Sequence, residues 1–294
     1  MATTDPPATI YGVDFSAAAD DAGRNTWIAQ CSIEERAGEE DNLAVEELAD
    51  ASELLSCAPD RDSTIAALVD LIEGYPDERR AFGLDFPFGL PRDLQGADWH
   101  EFLDRVRDGG EWGELGRVDG PRSLYDAARE RAEAEGVGLR RVTDERRGGQ
   151  EPTGFRIKTQ TYYGVSALLA ELSEDVSIPP MDDPTGNTVV LETYPAATFR
   201  RLREEGYAPV HDTGYKRDTR EAIRRRRNNV DALAEAGVEF DGHRAFAVAT
   251  DHALDAVAAA RATWRASESG YGVPDEEAAD EVPTAAGREG YIYR

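Results

Sequence analysis

Lysine is almost missing from this chain. Of its 33 basic residues only Lys158 and Lys216 are lysines, and the rest are arginines. That excludes the lysine-rich basic classes. Cysteine is equally scarce: Cys31 and Cys57 stand alone, without a CxxC, so no disulfide framework is expected and their role is packing in a reducing cytosol. The histidines His100, His211, His243 and His252 show no HExxH or HxH spacing, which leaves a zinc site without support. No stretch approaches the ~18 consecutive apolar residues of a membrane span, and Met1–Pro7 is polar rather than a signal peptide. A cytoplasmic protein with no membrane partner is therefore expected.

What the chain has in excess is acid. Asp and Glu number 59, giving a formal net charge of −26 and a pI near 4.5. With 40% hydrophobic residues the chain still has the means to fold, and 294 residues suit one large domain or two small ones. Such a surface repels itself in dilute salt, whereas at molar salt the Debye length falls to about 3 Å. The acids are spread over the whole chain, denser at Glu34–Glu53 and Asp275–Glu281. This spread points to a halophilic cytosol rather than to one basic partner. It also strips an isolated Asp or Glu of functional meaning. Only carboxylates in apolar, strand-like surroundings carry information.

Thr9–Ser16 reads as a strand ending at Asp14, and Asp20–Asn25 as a turn into a second strand, Thr26–Ile33. Leu43–Leu48 fits a strand or an acidic helix. Ser63 is placed to cap a helix running to Ile72, and Arg80–Phe88 holds a strand that must stop by Pro87. From about residue 92 to 186 the apolar content thins, with short helices expected at Trp99–Val106, Ser123–Glu135 and Thr161–Leu172. This region reads as an insertion or lid within a single domain. Asn187–Tyr194 is a further strand, followed by helices at Ala196–Glu205, Arg217–Ala236 and Thr250–Arg265. Ser267–Glu289 reads as a mobile loop and Tyr291–Tyr293 as a closing strand.

Three of these strands share a feature. Asp14 in YGVDFS, Asp85 in FGLDFP and Glu192 in VLETYP each sit among apolar neighbours at a strand's carboxyl end. A lone buried acid is costly, so three at strand ends are expected to meet. Asp251 and Asp255, one helical turn apart in DHALDAVAAA, offer a fourth carboxylate, with Asp251 also suited to capping its helix. Clustered carboxylates are hard oxygen ligands for Mg²⁺ or Mn²⁺.

GVDFS, GLDFPFGLP, LETYPA and DHALDAVAAA, in that order from Tyr11 to Arg294, resemble the DUF429 family of predicted RNase H-like nucleases. The resemblance implies an α/β fold: a five-stranded mixed sheet, its first three strands antiparallel, with helices on both faces and a helical insertion. It implies Asp14, Asp85, Glu192 and Asp255 (or Asp251) as catalytic metal ligands. Two Mg²⁺ or Mn²⁺ ions about 4 Å apart would then serve phosphodiester hydrolysis, with no organic cofactor. Two other classes stay open. A sugar-kinase- or actin-like phosphotransferase needs a phosphate loop where this chain has Ser16–Ala19, and a non-catalytic module would keep the fold without the chemistry.

A nucleic-acid partner sits awkwardly with the net charge, yet two groups of arginines fit phosphate. One is Arg224, Arg225, Arg226 and Arg227 in KRDTREAIRRRR. The other lies in the insertion, where Arg140 and Arg141, with Arg146 and Arg147, precede Lys158. Tyr162 and Tyr163 could stack bases or fill the core.

Overall fold

The computed structural model describes residues 6–34, 41–207, 209–273 and 282–294. Strands β1 (Thr9–Asp14), β2 (Trp27–Glu34) and β3 (Asn42–Asp50) form an antiparallel meander. On the other side of β1, β4 (Arg80–Leu84) and then β6 (Thr188–Glu192) run parallel to it. The sheet is α/β and mixed, as expected, but it has seven strands rather than five, in the order β5-β6-β4-β1-β2-β3-β7. The two extra strands, β5 (Val176–Ser177) and β7 (Val238–Glu239), are edge pairings of two residues each, too short for alternation to show in sequence. Leu43–Leu48 is strand. A register shift at Gln30/Cys31 breaks its alternation and gives it a helix-like pattern.

Single turns α1 (Ala22–Asn25) and α2 (Ala51–Leu54) precede α3 (Arg61–Glu73). The cap of α3 is Asp60, whose carboxylate accepts from the Ser63 amide, so Ser63 is the capped residue and not the cap. Then come α4 (Arg92–Gln95), α5 (Trp99–Gly109), α6 (Pro121–Glu135), α7 (Val142–Arg147) and α8 (Lys158–Tyr163). The helix expected over Thr161–Leu172 changes pitch, passing from α8 through a π turn at Gly164–Leu168 into a 3-10 turn at Leu169–Glu171. Beyond β6 lie α9 (Pro195–Glu204), α10 (Arg220–Glu235), α11 (Arg244–Ala249), α12 (Asp251–Glu268) and α13 (Val282–Glu289). The cap of α12 is Thr250, which accepts from the His252 amide, and Asp251 is its first residue. The loop expected over Ser267–Glu289 ends instead in α13, and its residues 274–281 lie outside the described residues. The closing strand is a single bridge between Thr193 and Tyr293.

Period-two alternation gives the sheet two unlike faces. Tyr11, Val13, Phe82, Leu84 and Val190 point to one face and join Trp99, Phe102, Trp112, Val165 and Leu168 in one buried cluster. Residues 92–186 therefore supply a layer of the core. Most of their large apolar side chains turn to this cluster, which an average over the segment conceals, although Phe155 is exposed. On the opposite face α12 lies against β1 and β4. Its seat is a pair of register partners, Gly12 and Gly83. A Cβ on Gly12 would overlap the Ala256 carbonyl oxygen, and one on Gly83 would sit 2.9 Å from that of Ala259. The alanines of α12 are the matching surface, and this close approach sets where its first turns end up.

Candidate functional site

The spacing Gly-x-Asp recurs in Gly12-Val13-Asp14 and Gly83-Leu84-Asp85. Because side chains two apart share a face, the glycine that admits α12 and the aspartate beyond it lie on the same side of the sheet. α12 then brings Asp255 to the same place. Oxygens of Asp14, Asp85 and Asp255 all lie within 4.8 Å of one another. The three border or adjoin a cleft of about 180 Å³ that Gln150, Ile157, Gln160, Tyr194, Lys216, Asp251 and His252 also line.

Two cations hold this cluster together. Lys216 Nζ is 2.6 Å from Asp255 Oδ2, and the Tyr215 hydroxyl donates to Asp255 Oδ1 at 2.9 Å. His252 Nδ1 is 2.6 Å from Asp14 Oδ2. Burial raises the pKa of Asp255 to about 6, although Lys216 pulls the other way. Burial also raises that of Asp85 well above the carboxylate range, with Asp14 and Asp255 adding to the rise and Lys216 opposing it. His252 moves up to about 8, chiefly through its hydrogen bond to Asp14. Burial works against the Lys216 ammonium, but Asp255, Tyr215, Asp85 and Asp14 together outweigh it and the pKa ends well above the usual lysine value. The cluster is thus short of positive charge, and its donor set of three carboxylates fits a hard divalent cation such as Mg²⁺ or Mn²⁺.

Glu192 does not join it. In the parallel register Glu192 pairs with Leu84, whereas Asp85 falls one residue later, so Glu192 turns away from the three-carboxylate group, although it and Arg141 still border the same cleft. There Arg141 takes both its oxygens, Nη1 to Oε2 at 2.7 Å and Nη2 to Oε1 at 2.5 Å, and the Phe88 amide adds a third bond. Arg141 also grips Asp144 and the Glu289 carbonyl, fully buried. Asp251 lines the cleft half-buried and is outside the three-carboxylate group.

The family described as a protein of unknown function (DUF429) matches residues 12–279. The chain belongs to that family. No curated protein and no solved structure gives a significant match. The matched span takes in Gly12, both strand aspartates and Asp255.

The basic residues singled out in this DUF429 chain divide sharply. Arg141 is fully buried, and Arg226 is buried with four bonds to the carbonyls of Val248, Tyr215, Arg217 and Ala249. Arg226 has its donors committed to backbone, and Arg141, though it borders the cleft, is committed to Glu192 and Asp144. The arginine run lies on a helix, so its members point in different directions. Arg224 and Arg225 pair with Glu221, and Arg140, Arg224 and Arg227 are exposed. Lys158 bonds the Phe155 carbonyl at 2.6 Å on α8, next to Ile157 and Gln160 of the cleft. Tyr162 stacks on Trp112 and serves the core with Tyr163. Sequence reasoning missed Lys216 as a site residue, and also His252 and Tyr215. A signal for the first was present: in a chain that uses arginine almost everywhere, one of its two lysines lies at this cleft.

Proposed function

We propose that this chain is a divalent-cation-dependent hydrolase of phosphodiesters, a nuclease on an RNase H-like sheet. The observation that carries the reading is the meeting of Asp14, Asp85 and Asp255 within 4.8 Å. The strand order β3-β2-β1-β4-β6, antiparallel and then parallel, supports it as the RNase H-like core, with β5 and β7 added at the edges. When bound, a Mg²⁺ or Mn²⁺ ion supplies a water of lowered pKa and neutralises charge on the phosphate. Asp14, Asp85 and Asp255 would hold it. His252 orients Asp14, and the Lys216 ammonium, half exposed on its outer side, is placed to turn from Asp255 to a phosphate oxygen. A second ion needs Glu192, whose oxygens Arg141 already occupies, so one ion with Lys216 as the second positive charge is the simpler arrangement. Exposed Arg140, Arg224 and Arg227, with half-buried Lys158, remain for the nucleic-acid backbone.

The test is the purified chain in about 0.1 to 3 M KCl, followed by circular dichroism and by cleavage of single- and double-stranded DNA and RNA with Mn²⁺. Folding and cleavage are expected together at molar salt. Mn²⁺ should raise the melting temperature of the wild type and leave Asp14→Asn and Asp85→Asn unmoved. A metal response unchanged in both variants places the ion elsewhere. A folded, metal-binding chain that cleaves none of the substrates would mark a binding module on the same fold.

A further inference from the structure

Away from the carboxylate cleft, α9, the later turns of α12 and residues 291–294 enclose a cavity of about 190 Å³. Five arginines line it, with Glu205 as the one carboxylate among its described lining residues. In a chain of net charge −26 such a wall runs against composition. Several of these arginines are engaged. Arg201 pairs with Glu205 at 2.6 Å, Arg265 with Glu268, and Arg294 with Glu204 at 2.9 Å, while Arg147 donates to the Tyr291 hydroxyl.

Arg261 differs. It is only 7% exposed, and its Nε is buried without an acceptor. Among the described residues its guanidinium forms no hydrogen bond or ion pair; the Trp264 ring is 5.2 Å away, and the Glu205 and Glu268 carboxylates favour its charge without pairing with it, from a neighbouring acidic cleft that Arg261 also borders. Thr198 Oγ1, on the α9 wall of the same cavity, is also buried with no partner. Burial, with Arg265 beside it, lowers the Arg261 pKa to about 10, which leaves it charged at neutral pH. A buried cation without an acceptor weakens a fold, and of the α12 residues at this cavity Arg265 has its own carboxylate partner whereas Arg261 has none. Packing alone does not account for an arginine at this position.

Two buried donors facing one cavity from two helices suit an oxyanion, the guanidinium fork taking two oxygens and the hydroxyl a third. The volume lies below the ~300 Å³ at which drug-sized ligand pockets begin, so the anion is small. We propose that Arg261 and Thr198 form a second ligand site, separate from the carboxylate cleft, for a small phosphate-bearing anion. The phosphate is free or is the ester group of a compact molecule such as a nucleoside monophosphate. The site stands without the metal chemistry proposed above.

The experiment is thermal denaturation of the full chain at molar KCl with orthophosphate, pyrophosphate or a nucleoside 5′-monophosphate, ionic strength held constant with KCl. A rise of several degrees is expected with at least one of them, the larger response to orthophosphate or to the monophosphate assigning the free or the esterified source. Arg261→Met should abolish the rise, Thr198→Val should reduce it, and Asp14→Asn should leave it whole. Without ligand, Arg261→Met should melt no lower than the wild type, because an unpaired buried cation has been removed. Three results overturn the site: no response to any of the three anions, a response that survives Arg261→Met, or a ligand-free Arg261→Met chain that melts lower, which would make Arg261 a structural cation.

Discussion

Glu192 and Asp255 are both buried carboxylates at the carboxyl edge of the same sheet, and each is met by a cation. The cations are unlike. Arg141 is wholly enclosed and forks both oxygens of Glu192 while bonding Asp144 and a backbone carbonyl, so it has nowhere else to go. Lys216 reaches Asp255 with a single atom on a side chain that is 50% exposed. The first pairing closes a carboxylate into the scaffold, joining α7, β6 and the end of α13. The second leaves a carboxylate available to whatever competes with an ammonium. The identity and exposure of the cation, more than the acid's own burial, separate framework from site.

The contrast can be broken most forcefully at Arg141. Arg141→Ala leaves Glu192 and Asp144 buried without their partner and should cost about 3–5 kcal/mol of stability by chemical denaturation. Lys216→Ala should cost under about 1 kcal/mol, because water reaches the vacated position, and should strengthen the response to Mn²⁺. Equal losses in the two variants would erase the distinction.

Next in size is the seam under α12. Gly83→Ala places a methyl against the Ala259 carbonyl and the Thr263 hydroxyl and should destabilise by about 1–3 kcal/mol. It should also weaken the Mn²⁺ response, since Asp255 moves with its helix. Full metal response in a destabilised Gly83→Ala chain would show that the site does not depend on that contact.

A smaller effect lies in pH. With its pKa raised to about 6, folded Asp255 keeps a proton that the unfolded chain has already lost. Stability of the metal-free protein should therefore be highest below about pH 4 as far as this group is concerned. It should fall as pH rises from about 4 through 6, by on the order of 2 kcal/mol. Asp255→Asn should flatten that slope. A slope that persists unchanged assigns it to other acids. The smallest change is expected on α10, where Arg224→Gln with Arg227→Gln should alter stability by less than about 0.5 kcal/mol. Arg226→Gln should cost far more, because it strips four carbonyls of their donor.

Much of this was legible in the chain. The main strands announce themselves by apolar runs, and Asp14 and Asp85 by their place in GVDFS and GLDFP. Glu192 looked equivalent because VLETYP has the same character. Its register against β4, which a single sequence does not contain, turns it away from the other three. Arg141 and Arg226 looked like ligands because a charged letter does not disclose its burial. The layer formed by residues 92–186 was hidden because Trp99, Phe102 and Trp112 are spread among many polar residues, and only the fold gathers them. His252 carried no metal-site spacing because its partner, Asp14, is 238 residues away.

That separation has a consequence for how the protein comes into being. β1 and β4 can pair early in synthesis, but a nascent chain that has not yet reached residue 251 holds two strand aspartates above a bare glycine seam, with no third acid and no histidine to meet them. Long-range closure of this kind is slow compared with local helix formation. The carboxylate site is therefore among the last features to assemble on the ribosome, and a chain cut short between β7 and α12 carries all seven strands but none of the assembled site.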